Sequence, residues 1–350
     1  MVDVLNSTRE NRQKFAGKPS PSPGIIWLGT NTCDGNIIST MNTFRPSLQE
    51  VLEDFDFYYS SMIMAPEGES ASEKWRLPQV QKGAFILVVE GTVPTAYGGK
   101  TAVVGQVNGQ NITALELVKE LGTLARWVVA AGVCASFGGP YAAYPNPTGS
   151  VAVSKVLNRP VINVPGCPVN PRWVLETLYY LKEKGAPELD PLGRPRFLYK
   201  DTVHSRCEFL PLFEAGIFAQ EIGQKGCTYL LGCKGPSTRA DCPVRLWNDE
   251  KSAWNVGVNS ICIGCTSPEF PDQVAPFFKH ETDLYFKPKR INLDSLALGT
   301  AAFTLAGIGA HLAGKVLTGR VKLGSKKPGP TLSLVRKGFK KLKDSKKRLE

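Results

Sequence analysis

The stretch "GIIWLGTNTCDGNIIST", residues 24–40, decides the fold. Its first six residues are apolar without alternation, the pattern of a strand buried on both faces of a parallel sheet. The run stops at a polar loop that carries one cysteine, Cys33, followed by Asp34 and then Asn36. "GAFILVVEG" (83–91), "RWVVAAGVC" (126–134) and "RPVINVPG" (159–166) read as strands of the same kind. Between them lie helical stretches. "NITALELVKELGTLA" (111–125) has Thr113 and Glu116 spaced for a capping box. "NPRWVLETLYYLKEKG" (170–185) opens on Pro171 and closes on Gly185. Strand alternating with helix predicts an α/β fold with a parallel sheet over 24–186.

The rest of the chain has a different character. Residues 1–23 are polar and rich in Ser and Pro, and read as a flexible lead-in. Residues 187–285 hold six of the nine cysteines, much Gly and Pro, and few periodic runs. Such a segment cannot build a large apolar core, so bound metal is expected to hold it together. At 350 residues the chain has length for one large domain or two ordinary ones.

The net charge of +11 resembles a nucleic-acid signal until it is located. Residues 319–350 carry twelve Lys and Arg against Asp344 and Glu350, so ten of the eleven charges sit in this basic tail. A near-neutral body argues against nucleic acid as a partner and for a tail that meets phosphates or anionic lipid. Nine cysteines cannot all pair within one chain. The amino-terminal stretch shows no apolar h-region and no twin arginine, so no secretory signal is read there. The expectation is a cytoplasmic protein at the inner face of the cell membrane, with reduced thiols that bind metal or do redox chemistry.

Cys33, Cys134 and Cys167 each follow one of the predicted strands, where a parallel sheet gathers its ligands. Their loops, "CDGN", "CASFGGP" and "PGCPVNP", are rich in Gly and Pro, which lets backbone amides approach sulfur. Three unrelated buried thiols would give the same spacing. The second set is denser: His204, Cys207, Cys227, Cys233, Cys242, Cys262 and Cys265 lie within 62 residues. Zinc fits these ligand types, but seven ligands do not divide into two four-ligand sites. They do divide into a four-ligand cubane and a three-cysteine cluster.

Taken in order, "WLGTNTC", "EGTVP", "CASFGGP", "PGCPVNP", the HxxC of His204 and Cys207, "GCTYLLGCKGP", "DCPVRLWN" and "CIGC" resemble the small, electron-transfer subunit of a [NiFe] hydrogenase over roughly residues 24–285. The resemblance implies a flavodoxin-like domain followed by an irregular cluster domain. It implies a proximal 4Fe-4S cluster on Cys33, Cys134 and Cys167, and a medial 3Fe-4S cluster on Cys242, Cys262 and Cys265. A distal 4Fe-4S cluster would use His204, Cys207, Cys227 and Cys233. Dihydrogen would be split at a nickel–iron centre on a partner large subunit, with this chain as the wire to an acceptor such as the quinone pool.

The family's usual motif has a second cysteine at the position of Asn36. In the actinobacterial-type, oxygen-insensitive branch an aspartate stands there, and "CDG" is similar to that branch. Three readings stay open: Asn36 offers its amide oxygen to iron, Asp34 swings in, or the fourth iron keeps water or is lost. An oxygen ligand from Asn36 is the favoured reading, and loop shaping by both residues is the bland one.

Residues 290–318 hold an apolar helix. "SLALGTAAFTLAGIGAHLAG" (295–314) has no formal charge, is long enough to span a bilayer, and is followed by a basic run suited to the cytoplasmic face. A buried helix in an oligomer of heterodimers is the other reading. "GGKT" (98–101) is no phosphate loop, because Pro94 stands where its first glycine belongs. The alternatives to a hydrogenase subunit are an electron-transfer subunit of a complex I-like assembly and a zinc-stabilised scaffold.

Overall fold

The computed structural model describes residues 23–247, 254–272, 283–286 and 289–318. The lead-in before Pro23 and the basic tail from 319 lie outside them. Five strands form one parallel sheet: β1 (Gly24–Gly29), β2 (Asp56–Ser60), β3 (Phe85–Glu90), β4 (Trp127–Ala131) and β5 (Ile162–Val164), in the order β2-β1-β3-β4-β5. This is the flavodoxin-like order, whose strand sequence reverses between β1 and β3. β2, the edge strand, carries no run of aliphatic residues and was not legible as a strand.

Alternate residues of each strand face opposite sides. Ile25, Trp27, Ile86, Val88, Val129 and Val164 pack on one face with α4 (Pro171–Lys184), through Trp173, Leu178 and Tyr179. Ile26, Leu28, Leu87, Val89, Val128 and Ala130 pack on the other with α2 (Ala114–Leu124), through Leu117, Val118 and Leu121. The capping box of α2 forms: Thr113 Oγ1 accepts from the Glu116 N–H, and the Glu116 carboxylate accepts from the Thr113 N–H. The first face also buries Leu198, Tyr199, Val203, Ala240, Trp254 and Val256, so residues on either side of 186 share one core. Among the described residues of 187–272, no helix exceeds five residues.

Register sets the site. Gly29 pairs with Glu90, Glu90 with Ala131, and Ala131 with Val164, so four strand ends finish on one row. β4 stops before the end of its apolar run. Gly132 adopts φ +87°, and Gly132–Phe137 turns into the short helix α3, which carries Cys134.

One compact unit runs to Glu281. A second holds a hairpin, β6 (Asp283–Phe286) with β7 (Lys289–Asn292), and the helix α5 (Leu293–Leu317). From Leu296 to Leu317 α5 is long and apolar enough to cross a membrane, and residues 296–318 are exposed throughout.

Candidate functional site

Cys33 lies four residues beyond Gly29, Cys134 three beyond Ala131 and Cys167 three beyond Val164, so the common row of strand ends delivers three thiols to one edge. Cys33 and Cys167 are exposed and Cys134 is half-buried. Burial pushes the Cys134 thiol up to about 12, with Cys167, Cys33 and Glu90 beside it adding to the shift against a hydrogen bond from the Tyr141 N–H. Although Cys167 is exposed as a residue, partial desolvation of its sulfur pushes it up to about 11, with Cys265 and Cys33 adding. Space is reserved around these sulfurs. A Cβ on Gly139, at φ +49°, would stand 3.1 Å from Cys134 Sγ, and one on Gly35 would stand 3.2 Å from Cys33 Sγ.

Cys242, Cys262 and Cys265 form a second group. Burial raises all three, Cys262 to about 12, and Cys265 presses on both of the others. Cys207, Cys227 and Cys233 form a third: burial raises Cys207 and Cys227, and Cys233 raises both further. A Cβ on Gly235 would lie 3.5 Å from Cys233 Sγ and 3.6 Å from the His204 backbone nitrogen, which places the His204 main chain beside this group. The imidazole packs edge-on against Phe213 at 4.6 Å, and Phe213 stacks edge-on with Phe218 and Tyr229.

The three groups form a row. The first meets the second where the Cys167 backbone N–H donates to Cys265. The second meets the third where the Lys234 N–H donates to the Cys262 carbonyl at 2.7 Å, with Cys233 close enough to raise Cys262. Backbone amides reach sulfur in every group: Phe209 N–H to Cys207 Sγ at 3.4 Å, Tyr229 to Cys227, Gly264 to Cys262.

All nine cysteines are free thiols, and protonated at neutral pH wherever burial raises them. A metal bound there takes the thiolate form and displaces those protons. Among the described residues no three His, Cys, Asp or Glu side chains converge tightly enough to grip one metal ion. A tetrahedral zinc site needs that convergence, whereas a cluster gives each sulfur its own iron and so keeps its ligands apart. The donors fit clusters.

Asn36 follows Cys33 by three residues. It is 6% exposed in α1 (Gly35–Met41), and its amide oxygen, the expected iron donor, accepts the Val169 N–H at 2.8 Å. Its Nδ2 donates to Glu90 Oε1 at 3.1 Å and to the Ala131 carbonyl at 3.4 Å. Asp34, with φ +57° at the head of α1, makes no capping bond. Its carboxylate is near enough to Tyr141 to act on that phenol together with Cys33 and Cys134.

Glu90 stands inside "EGTVP", where sequence reasoning assigned it no role. It is wholly buried and accepts from Trp27 Nε1 (2.9 Å), Thr32 Oγ1 (3.2 Å), the Asn36 N–H (2.9 Å) and the Ile37 N–H (3.0 Å). Those two amides are orphan donors of the first turn of α1, so a carboxylate from β3 caps a helix that its own N-cap leaves bare. The available signal was an acid closing an otherwise aliphatic strand.

Comparison with known proteins completes the picture. The family model for the C-terminal part of the NiFe/NiFeSe hydrogenase small subunit matches residues 199–278, and the one for the NADH ubiquinone oxidoreductase 20 Kd subunit matches 33–181. The periplasmic [NiFeSe] hydrogenase small subunit of Desulfomicrobium baculatum is 36% identical over 276 residues, covering 73% of this chain and 87% of that protein. The quinone-reactive Ni/Fe-hydrogenase small chain of Wolinella succinogenes is 33% identical over 307 residues, covering 82% and 84%. Among solved structures, the actinobacterial-type NiFe-hydrogenase of Ralstonia eutropha H16 superposes with a TM-score of 0.71 at 27% identity, over 91% of this chain and 97% of that one. The expected cytoplasmic placement is corrected by these findings, since the Desulfomicrobium baculatum relative is periplasmic and the Wolinella succinogenes one quinone-reactive. The expectation had been drawn from free thiols and an amino-terminal stretch. Cysteines that hold metal stay out of disulfides in any compartment, so they do not report one.

Proposed function

The chain belongs to the small-subunit family of [NiFe] hydrogenases, and from that premise we propose that it carries electrons from a large subunit's nickel–iron site through three iron–sulfur clusters. It is thus part of an oxidoreductase, and the site that acts on dihydrogen lies on its partner. The observation that supports the wire is the row of three thiol groups, joined at Cys167–Cys265 and Cys262–Cys233. Iron–sulfur clusters, when bound, supply reversible one-electron carriers.

In this reading Cys33, Cys134 and Cys167 hold a proximal 4Fe-4S cluster on the flavodoxin-like part, 24–186. Cys242, Cys262 and Cys265 hold a medial 3Fe-4S cluster, and His204, Cys207, Cys227 and Cys233 a distal 4Fe-4S cluster, both within 187–285. Exposed Cys33 and Cys167 mark the face that meets the large partner. The Tyr141, Phe209, Tyr229 and Gly264 amides lower the charge on their sulfurs and so favour reduction. His204 is a neutral donor at the far end, which raises the potential there relative to a thiolate. With the Asn36 amide occupied, the oxygen donor for the fourth proximal iron falls to Asp34, which Glu90 relieves of capping α1.

Likeness to the actinobacterial-type structure over nearly the whole chain supports that branch, with its oxygen insensitivity, although relatives of other types share more identity. The long apolar α5 and the likeness to a quinone-reactive relative support a membrane quinone as acceptor and a heterodimer, or an oligomer of heterodimers, held at the membrane. A complex I-like subunit is the second reading, favoured by the match over 33–181. That span ends before the His204 group, which the hydrogenase model covers.

The test is iron and acid-labile sulfide per chain, with low-temperature EPR, on anaerobically purified complex with its large subunit. Iron for two cubanes and one three-iron cluster, with an oxidised 3Fe-4S signal, is expected. Zinc without sulfide would overturn the reading, and a single cubane would favour the complex I-like one.

A further inference from the structure

We infer that Asn36 is a positioning residue that ties together the three cysteine-bearing loops, rather than a ligand to iron. The inference rests on the reading of Cys33, Cys134 and Cys167 as the proximal site. Asn36 lies three residues after Cys33. Its Nδ2 donates to Glu90 Oε1 at 3.1 Å and to the carbonyl of Ala131, three residues before Cys134. Its Oδ1 accepts from the N–H of Val169, two residues after Cys167, at 2.8 Å. One planar group, on the segment after β1, therefore touches the ends of β3 and β4 and the loop after β5.

Asparagine suits this place because its short amide offers donor and acceptor together. Cysteine lacks the reach and the strong acceptor, and aspartate lacks the donors. The surroundings are built around it. A Cβ on Gly132 would lie 2.4 Å from Asn36 Nδ2, so the glycine at φ +87° leaves room for the amide. Glu90 is wholly buried and receives both the backbone N–H and the side-chain amide of Asn36. An aspartate at position 36 would set a second carboxylate against Glu90 and turn an acceptor to the Ala131 carbonyl.

The two roles make opposite predictions for Asn36→Asp. A carboxylate is a better iron ligand than an amide, so a ligand role predicts full iron with one iron's Mössbauer parameters shifted. A positioning role predicts that the variant complex loses the iron and sulfide of one cubane. Asn36→Ala provides a readout that does not depend on iron: hydrogen exchange at the Val169 amide should accelerate about fivefold or more, as loss of one hydrogen bond implies. Retained iron in Asn36→Asp, or unchanged Val169 exchange in Asn36→Ala, would overturn the inference. Should neither variant assemble, the unaltered complex decides: a protected Val169 amide supports the tie, and one exchanging like a free loop amide refutes it. Absence of iron and sulfide from the first thiol group of the unaltered complex would instead sink the cluster reading and leave the tie to the exchange data.

Discussion

Glu90 is the residue on which the proximal edge turns. Burial raises its carboxyl above the ordinary range, while the Asn36 and Ile37 amides, the Trp27 indole and the Thr32 hydroxyl pull it back down. The same donors align α1 and hence Cys33. Gly132 is its counterpart in sterics: Gly132→Ala puts a methyl onto Asn36 Nδ2 at a φ that side chains avoid. We expect a loss of about 2 kcal/mol or more in denaturant unfolding, with iron lost from the proximal group first. Asp34→Ala should keep the fold, because the side chain caps nothing, and should change the Mössbauer signature of one proximal iron. An unchanged signature would give that iron a solvent oxygen instead. That position 36 mattered was legible in the motif. That its amide bonds to Glu90, Ala131 and Val169 was not, since those partners lie 54, 95 and 133 residues away.

At the scale of elements, α4 and the Cys242 segment are joined by a partly buried ionic network. Trp173 Nε1 donates to Asp241 Oδ1 at 2.6 Å, and Arg245 bridges Asp241 on its own turn and Glu176 on α4. Arg172 reaches the same Glu176 carboxylate one turn away on α4. Arg245→Met leaves Glu176 with Arg172 alone and Asp241 with only the Trp173 indole, and should cost about 3 kcal/mol. Burial already holds the Glu176 carboxyl above its ordinary value against the pull of Arg245. A carboxyl raised in the native state keeps a proton that the unfolded chain has released. Stability therefore falls as pH rises from the ordinary carboxyl range through the raised value. Removing Arg245 widens that window, so denaturant unfolding should show a larger deficit at pH 8 than at pH 5. Phe213 serves the third group similarly: Phe213→Ala removes the ring packed on His204 and should shift the distal potential in an EPR-monitored titration, leaving the 3Fe-4S signal in place.

At the scale of the whole molecule, the unit that carries the nine cysteines and the one that holds α5 are separate compact units. Truncation after Glu281 should leave the complex with its iron and sulfide intact, and flotation with lipid vesicles should be lost. Twenty-two helical residues from Leu296 to Leu317 reach about 33 Å, enough for the hydrocarbon core. Vesicle binding that survives the truncation would move the membrane contact elsewhere.

The sequence by itself determined the parallel sheet, the capped helices, the ordered series of cysteine motifs and the apolar helix near the end. Each of these depends on neighbours a few residues apart, through strand and helix periodicity or ligand spacing. Only the tertiary structure decided the common row of strand ends, the contacts that join the three thiol groups, the capping of α1 by Glu90 and the engagement of the Asn36 amide. Those depend on groups that the fold brings together across tens to more than a hundred residues. A buried amide bonds to whatever polar group packing places beside it, and local sequence does not encode that neighbour.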